Sequence, residues 1–317
     1  MQNKYSVSRG LRAFRGLGAA AGLLAVASVS SAQSVNQLPD SATRAKECPS
    51  CAEWNAPHKG FRLFGNAWYV GTNGLASVLL TSNGGHILLD GGLPESAPLI
   101  AANVQALGFR MEDVKLIVNS HDHFDHAGGI AALQKLSGAR VAATASSAKV
   151  LQSGESGPDD PQFGLGIRFP GVSKVEVVTD GQKLRVGNVE ITAHATGGHT
   201  PGGTSWSWKS CEGSRCLDMV YADSQTPISA DNFYFTRNTT YPNALADFRK
   251  GFATLESVRC DILITPHPDA SQLWTRLAAR DAGNANALVD AMACQRYAAS
   301  ARKRLDARIA TEGKPPR

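Results

Sequence analysis

Three histidines and two aspartates fall within the short segment from His121 to His126, in the sequence NSHDHFDHAGG. The segment follows the strand-like run KLIVN, and side chains alternate in direction along extended backbone, so His121 and His123 can point the same way. Asp125 and His126 stand where the next helix begins. Zinc accepts imidazole nitrogen and carboxylate oxygen as ligands, so the segment predicts a metal site with an open position. A histidine-bearing acidic surface loop is the alternative.

Two further histidines favour the metal site, because each follows another apolar run. His199 lies in ATGGHTPGGTSW, after the strand-like VEITAHA, and His267 lies in ILITPHPD. The other three histidines, His58, His86 and His194, have no such setting and are expected to be core or surface residues.

The rest of the sequence predicts the elements that would bring these strand ends together. AWYVG, LASVLLTS and GHILLDGG are typical of three successive strands, and APLIAANVQALG has helical spacing. Strand and helix then alternate up to a loop at 153–172 that is rich in Gly, Pro and Asp, and a run of strands follows. This mixture predicts a layered α/β fold with a site along one sheet edge, in a single domain.

The two ends of the chain are expected to lie outside that domain. Residues 1–32 combine four basic residues with the apolar run LGAAAGLLAVASV and end in SSA, which is typical of a secretory signal cleaved after Ala32. We therefore expect an exported, periplasmic protein with a domain over 33–311 and a flexible tail over 312–317. A membrane anchor is the alternative for the apolar run, which is shorter than the roughly 20 residues a spanning helix needs.

Charge gives little support for a nucleic-acid partner. Without the four basic residues of the signal, 28 Lys and Arg balance 27 Asp and Glu. No basic cluster interleaved with aromatic residues remains, so we expect no nucleic acid and, after signal cleavage, no membrane partner.

Six cysteines in an exported protein are disulfide candidates, and they fall into three local groups. A bridge between Cys211 and Cys216 would clamp a hairpin, and one between Cys260 and Cys294 would hold a C-terminal helix to the core. Cys48 and Cys51, in CPSC, are interpreted as a small structural bridge. A redox-active pair is the alternative there, although no strand precedes it.

HDHFDH, the later GGHTPGGT, the final PHP and the strand end LLDGG together resemble the motif pattern of the metallo-β-lactamase superfamily. GHTPGGTSW, YADSQT and the spacing of the last two cysteines are most similar to its subclass B3, over about residues 54–305. The resemblance implies an αβ/βα sandwich, in which two mixed sheets pack between helical layers. It also implies zinc-dependent hydrolysis of β-lactam antibiotics by a hydroxide bridging two Zn²⁺, in a monomeric resistance enzyme. The HxHxDH signature is specific for the superfamily but not for the substrate.

Residue by residue, the resemblance assigns one zinc to His121, His123 and His199 and the second to Asp125, His126 and His267. Asp125 would also orient the attacking hydroxide. Further roles follow for residues outside the ligand set: a supporting carboxylate at Asp90, and hydrogen bonds to the substrate carboxylate from Ser224 and Thr226.

Two other functions stay open at the level of sequence. An exported lactone or thioester hydrolase would use the same scaffold, and Asp223 could then bridge the metals as an aspartate does in thioester hydrolases of the superfamily. A zinc-storing or metal-sensing protein would use the same ligands without an open metal position or substrate contacts. No G-x-S-x-G nucleophile motif occurs in the mature chain.

Overall fold

The structure is a computed structural model that describes residues 48–313. All described residues belong to one compact unit. The predicted signal over 1–32 lies outside the described residues. Among those described, no helix combines the length and apolar character that a membrane span requires.

The first sheet has seven strands in chain order. The first four strands are antiparallel neighbours, and the last four pair in parallel. Apolar side chains fill both faces of the central strands, as expected for a sheet covered on both sides. The strands are β1 Phe61–Phe64, β2 Ala67–Tyr69, β3 Val78–Leu80, β4 His86–Leu89, β5 Val114–Val118, β6 Arg140–Thr144 and β7 Val175–Val178.

The second sheet has five strands in the order β12, β11, β10, β9, β8. Its strands are antiparallel except for the parallel pair of β11 and β12. The bounds are β8 Lys183–Val186, β9 Val189–Ala195, β10 Thr204–Glu212, β11 Arg215–Tyr221 and β12 Ile262–Ile264.

Helices cover the outer face of each sheet. The described α-helices are α1 Cys51–Trp54, α2 Ala97–Ala106, α3 Phe124–Ala127, α4 Ile130–Ser137, α5 Ala145–Ser153, α6 Ala244–Ser257, α7 Leu273–Asp281 and α8 Ala293–Glu312. One apolar core lies between the two sheets and contains the fully buried Trp206 and Tyr221. A second core joins the first sheet to α2, α4 and α5, and a third joins the second sheet to α6 and α8. The predicted sandwich of two mixed sheets between helical layers is confirmed.

Three disulfides are present, between Cys48 and Cys51, Cys211 and Cys216, and Cys260 and Cys294. The second closes the β10–β11 hairpin, where its cysteines are paired across the strands. The third ties the start of α8 to the residues before β12. These pairings are the ones expected from the sequence.

The flexible tail was predicted to begin at residue 312, but Glu312 belongs to the last helix. Glu312 is the last residue of α8, is 7% exposed, and accepts hydrogen bonds from the backbone N–H groups of Phe235 and Thr236. Arg308 donates to the same carboxylate from one turn earlier. These partners hold the helix to its end, and only 314–317 of the predicted tail lie outside the described residues.

Candidate active site

The predicted ligand residues meet at the ends of three strands from both sheets. His121 follows β5, His199 lies in the turn between β9 and β10, and His267 follows β12. With the first turn of α3 they line one cavity of about 620 Å³. The strand order brings them together, because strands far apart in sequence end on the same side of the sandwich.

The ligand atoms form two overlapping sets that share His121. One ligand atom each from His121, His123 and His199 lie within 4.8 Å of one another, and the same holds for His121, Asp125 and His126. The Asp125 Oδ2 atom is 3.2 Å from His126 Nε2 and 3.3 Å from His267 Nε2. This carboxylate therefore connects His267 to the rest of the cluster. We call His121, His123 and His199 the first ligand group, and Asp125, His126 and His267 the second.

Several rings hold one nitrogen against a protein oxygen, and this leaves the other nitrogen for a metal. His121 Nδ1 is 2.8 Å from Asp223 Oδ1, and His199 Nδ1 is 2.8 Å from the carbonyl oxygen of Thr226. His267 Nδ1 is 3.2 Å from the carbonyl oxygen of Gly74. Such outer partners set the tautomer and the direction of a metal-binding imidazole.

His126 shows most directly that the site suits a metal. The ring is fully buried, yet among the described residues neither nitrogen makes a well-aligned hydrogen bond, although Nε2 lies 3.2 Å from the Asp125 carboxylate. A buried, unpaired polar atom is costly, so this arrangement calls for a further partner. Nε2 faces the Asp125 carboxylate, and histidine nitrogens with a carboxylate form the donor set that zinc accepts.

Asp90 holds the segment that carries the first ligand. Its carboxylate accepts hydrogen bonds from the backbone N–H and the hydroxyl of Ser120, both at 2.6 Å, and from the hydroxyl of Tyr221 at 2.7 Å. The Asp90 backbone has φ +60°, a left-handed conformation that is uncommon outside glycine. Asp90 thus holds the residue before His121, and its Oδ2 atom is 3.8 Å from His126 Nδ1.

Electrostatic conditions differ between the three rings of the first group. Burial lowers the pKa of His199 to about 3, and burial together with the neighbouring rings lowers the pKa of His121 well below its usual value. Burial also acts to lower the pKa of His123, but the carboxylate of Asp160 overcomes this and raises it to about 9. Neutral imidazole binds metals, so a metal here would displace the His123 proton.

Asp160 is a site residue that the sequence reasoning missed. It lies in the predicted 153–172 loop, and its Oδ2 atom is 3.0 Å from His123 Nε2. Its Oδ1 atom accepts the backbone N–H of Gln162, whose side-chain nitrogen is 3.4 Å from His199 Nε2. The loop is therefore tied to the ligand cluster. The only sequence signal was an aspartate in a loop of this length.

The remaining wall of the cavity contains polar and apolar side chains. Ser224 and Thr226, expected to bind substrate, line it together with the half-buried Trp54. Leu165 and Ile228 also line it although each is more than half exposed, so they form an apolar rim. His58, His86 and His194 do not line the cavity, in agreement with their interpretation as core or surface residues.

Asp223 has a position that bears on the thioester alternative. The residue is fully buried, and its Oδ1 atom contacts Nδ1 of His121 rather than any atom of the second ligand group. Its Oδ2 atom packs against Gly203, where a Cβ atom would lie only 2.3 Å from that oxygen. Glycine at position 203 therefore makes room for the Asp223 carboxylate. In this position Asp223 holds the His121 ring from the side opposite Nε2.

Comparisons with known proteins agree with the geometry. A family model described as the metallo-β-lactamase superfamily matches residues 70–276. The chain is similar to the structure of Rm3 metallo-β-lactamase, with 57% identity over 84% of this chain and 99% of that one and a TM-score of 0.83. MEM-A1, a subclass B3 metallo-β-lactamase isolated from a soil metagenome library, is 48% identical, with 82% and 98% of the two chains covered and a TM-score of 0.80. SMB-1 is 46% identical, with 82% and 99% covered and a TM-score of 0.78. The chain therefore belongs to the metallo-β-lactamase superfamily, and its resemblance to subclass B3 is confirmed.

Proposed function

We propose that this protein is a zinc-dependent β-lactamase of subclass B3 that hydrolyses the lactam amide of penicillins, cephalosporins and carbapenems and so confers resistance to them. The observation that carries the proposal is the pair of adjoining ligand groups on the wall of a single open cavity. An open cavity with substrate-sized volume distinguishes an enzyme from a zinc-storing protein, whose metal would be closed off by protein ligands.

In this proposal two zinc ions occupy the two groups. His121, His123 and His199 would hold one ion, and Asp125, His126 and His267 the other. Bound there, the ions would supply Lewis acidity and a water of lowered pKa, which makes a side-chain nucleophile unnecessary.

The chain's own residues would then position the reactants. The Asp125 carboxylate, at the junction of the two groups, would orient the attacking hydroxide. Ser224 and Thr226 donate hydrogen bonds to the substrate carboxylate. Leu165 and Ile228 pack against apolar substituents of the antibiotic and limit the access of bulk water.

The first test is carbapenem hydrolysis by the purified mature protein before and after metal removal. We expect turnover to vanish with a chelator and to return when zinc alone is restored, because the proposed nucleophile is a metal-bound water. A chelated protein that keeps its turnover would contradict the proposal. We also propose that the protein is exported, cleaved after Ala32 and monomeric. Its intact mass after isolation from the periplasm tests the export, the cleavage site and the start of the mature domain at residue 33. Its elution volume on a sizing column tests the monomer.

The same preparation discriminates the lactone and thioester alternatives. We expect kcat/KM for the lactam to exceed that for either ester, since Asp223 holds the His121 ring and does not approach the second group. Two bound zinc ions with negligible lactam turnover would instead favour an ester hydrolase on this scaffold.

Asp160→Asn is expected to weaken zinc binding by about 10 to 100-fold, with a matching loss of kcat/KM at limiting zinc. The amide keeps the shape of the side chain but removes the negative charge that faces His123 Nε2. Zinc competition with a chromophoric chelator measures the affinity directly. Asp159→Asn is the matched control, because Asp159 is exposed and does not line the cavity. Equal affinities for the two variants would show that Asp160 does not support the site.

A further inference from the structure

The proposed reaction makes no use of the Cys48–Cys51 disulfide, although the bridge lies beside the site. Both cysteines are buried in a small apolar cluster with Leu75, Leu93 and Ile167. Trp54 packs against this cluster. Since α1 spans only Cys51–Trp54, the bridge fixes the start of the helix whose last residue is that tryptophan.

Trp54 contacts His267 directly. The two ring centroids are 5.0 Å apart at an interplanar angle of 56°, and both residues line the cavity. Trp54 also holds the neighbouring 72–74 segment, because its carbonyl oxygen accepts hydrogen bonds from the Thr72 hydroxyl at 2.7 Å and from the Gly74 N–H at 3.0 Å.

Gly74 completes a second connection to the same histidine. Its carbonyl oxygen is the partner of His267 Nδ1, at 3.2 Å. A Cβ at Gly74 would lie 2.6 Å from the Cα atom of Trp54, so the two segments are in close backbone contact and a shift of one would displace the other. The tryptophan thus supports His267 through its ring and, through Gly74, by a hydrogen bond.

His267 needs such support more than the neighbouring ligands do. Its side chain is 34% exposed, whereas those of His126 and Asp125 in the same group are 1% and 9% exposed. A ring with few packing neighbours depends on the specific contacts that fix its orientation.

We propose that the Cys48–Cys51 disulfide and Trp54 are positioning residues for His267, and that the bridge thereby sets the metal affinity of the group formed by Asp125, His126 and His267. This inference rests on the proposed two-zinc function, which supplies the second metal. It assigns a role to the CPSC motif: the bridge forms in an oxidising compartment, so the second metal position would reach full affinity only there.

The test is a zinc titration of the mature protein in competition with a chromophoric chelator, with the cobalt(II) spectrum of each form as a second measurement. The variant is Cys48→Ser with Cys51→Ser. We expect zinc at the position formed by Asp125, His126 and His267 to bind at least about 10-fold less tightly than in the wild type, while the three-histidine position keeps its affinity. Cobalt absorption from the second position should change and that from the first should not.

The matched control is Cys211→Ser with Cys216→Ser, which removes a disulfide at the exposed end of the β10–β11 hairpin. Trp54→Ala keeps both cysteines and should reproduce the loss even if the double serine variant does not fold. Trp54→Phe keeps an aromatic ring beside His267 and should therefore largely keep the zinc affinity of the second position.

Three results would overturn the inference. The first is an unchanged zinc affinity of the second position in both the Cys48→Ser, Cys51→Ser variant and Trp54→Ala. The second is an equal loss of zinc affinity at both metal positions. The third is a similar loss of zinc affinity in the Cys211→Ser, Cys216→Ser control. A wild-type protein that binds fewer than two zinc ions would contradict the proposed function itself, and that outcome is visible before any variant is compared.

Discussion

Asp125→Ala is expected to lower kcat/KM for a carbapenem by at least about 10³-fold, which corresponds to about 4 kcal/mol of transition-state stabilisation. The carboxylate lies within 3.3 Å of both other residues of the second group. Burial acts to raise the pKa of Asp125, but His126 and His267 hold it well below its usual range, so the group is ionised and available to a cation. The variant should also bind one zinc instead of two.

The control for this experiment is Asp306→Ala. Asp306 is exposed on α8 and does not line the cavity, so its loss should leave both the rate and the zinc count unchanged. If the Asp125→Ala variant hydrolysed the carbapenem within about threefold of the wild-type rate, the proposed role of Asp125 would be wrong. A threefold loss corresponds to less than about 1 kcal/mol of transition-state stabilisation.

Trp206→Ala is expected to lower the free energy of unfolding by about 3 to 5 kcal/mol, a large share of the stability of an ordinary domain. Trp206 is fully buried between the two sheets, and its indole N–H donates to the carbonyl oxygen of Asn119 at 2.8 Å. Asn119 lies two residues before His121, so the variant should also weaken metal binding. Urea unfolding of the metal-free protein measures the stability change separately from the metal.

A comparison of two phenylalanine variants isolates the hydrogen bond. Trp208 is 4% exposed on the same strand, but its indole N–H has no partner among the described residues. Trp206→Phe leaves a buried carbonyl without its donor, whereas Trp208→Phe removes a donor that was unpaired. We therefore expect Trp206→Phe to cost about 1 kcal/mol more than Trp208→Phe. Equal costs would mean that the Trp206 bond contributes nothing to stability.

Local sequence patterns predicted most of the fold. The apolar runs of β2 to β12 are strongly patterned, and the helices α2, α4 and α5 have clear periodicity, so each was expected close to its observed place. The strand β1 and the short helix α1 were missed. Each is only four residues long, and periodicity needs a longer segment to be detected.

The sequence by itself determined which residues could bind metal, because ligand chemistry belongs to residue type and the HDHFDH spacing places four candidates within six positions. It also predicted the cysteine partners, because each cysteine pairs with the next one along the chain. Only the tertiary structure decided which ring nitrogen each histidine leaves free. That choice depends on partners such as Asp223, which is 102 residues from His121, and Gly74, which is 193 residues from His267. Asp160 and Trp54 joined the site for the same reason. Contacts across such separations arise from the packing of the two sheets, and no local pattern of residues specifies them.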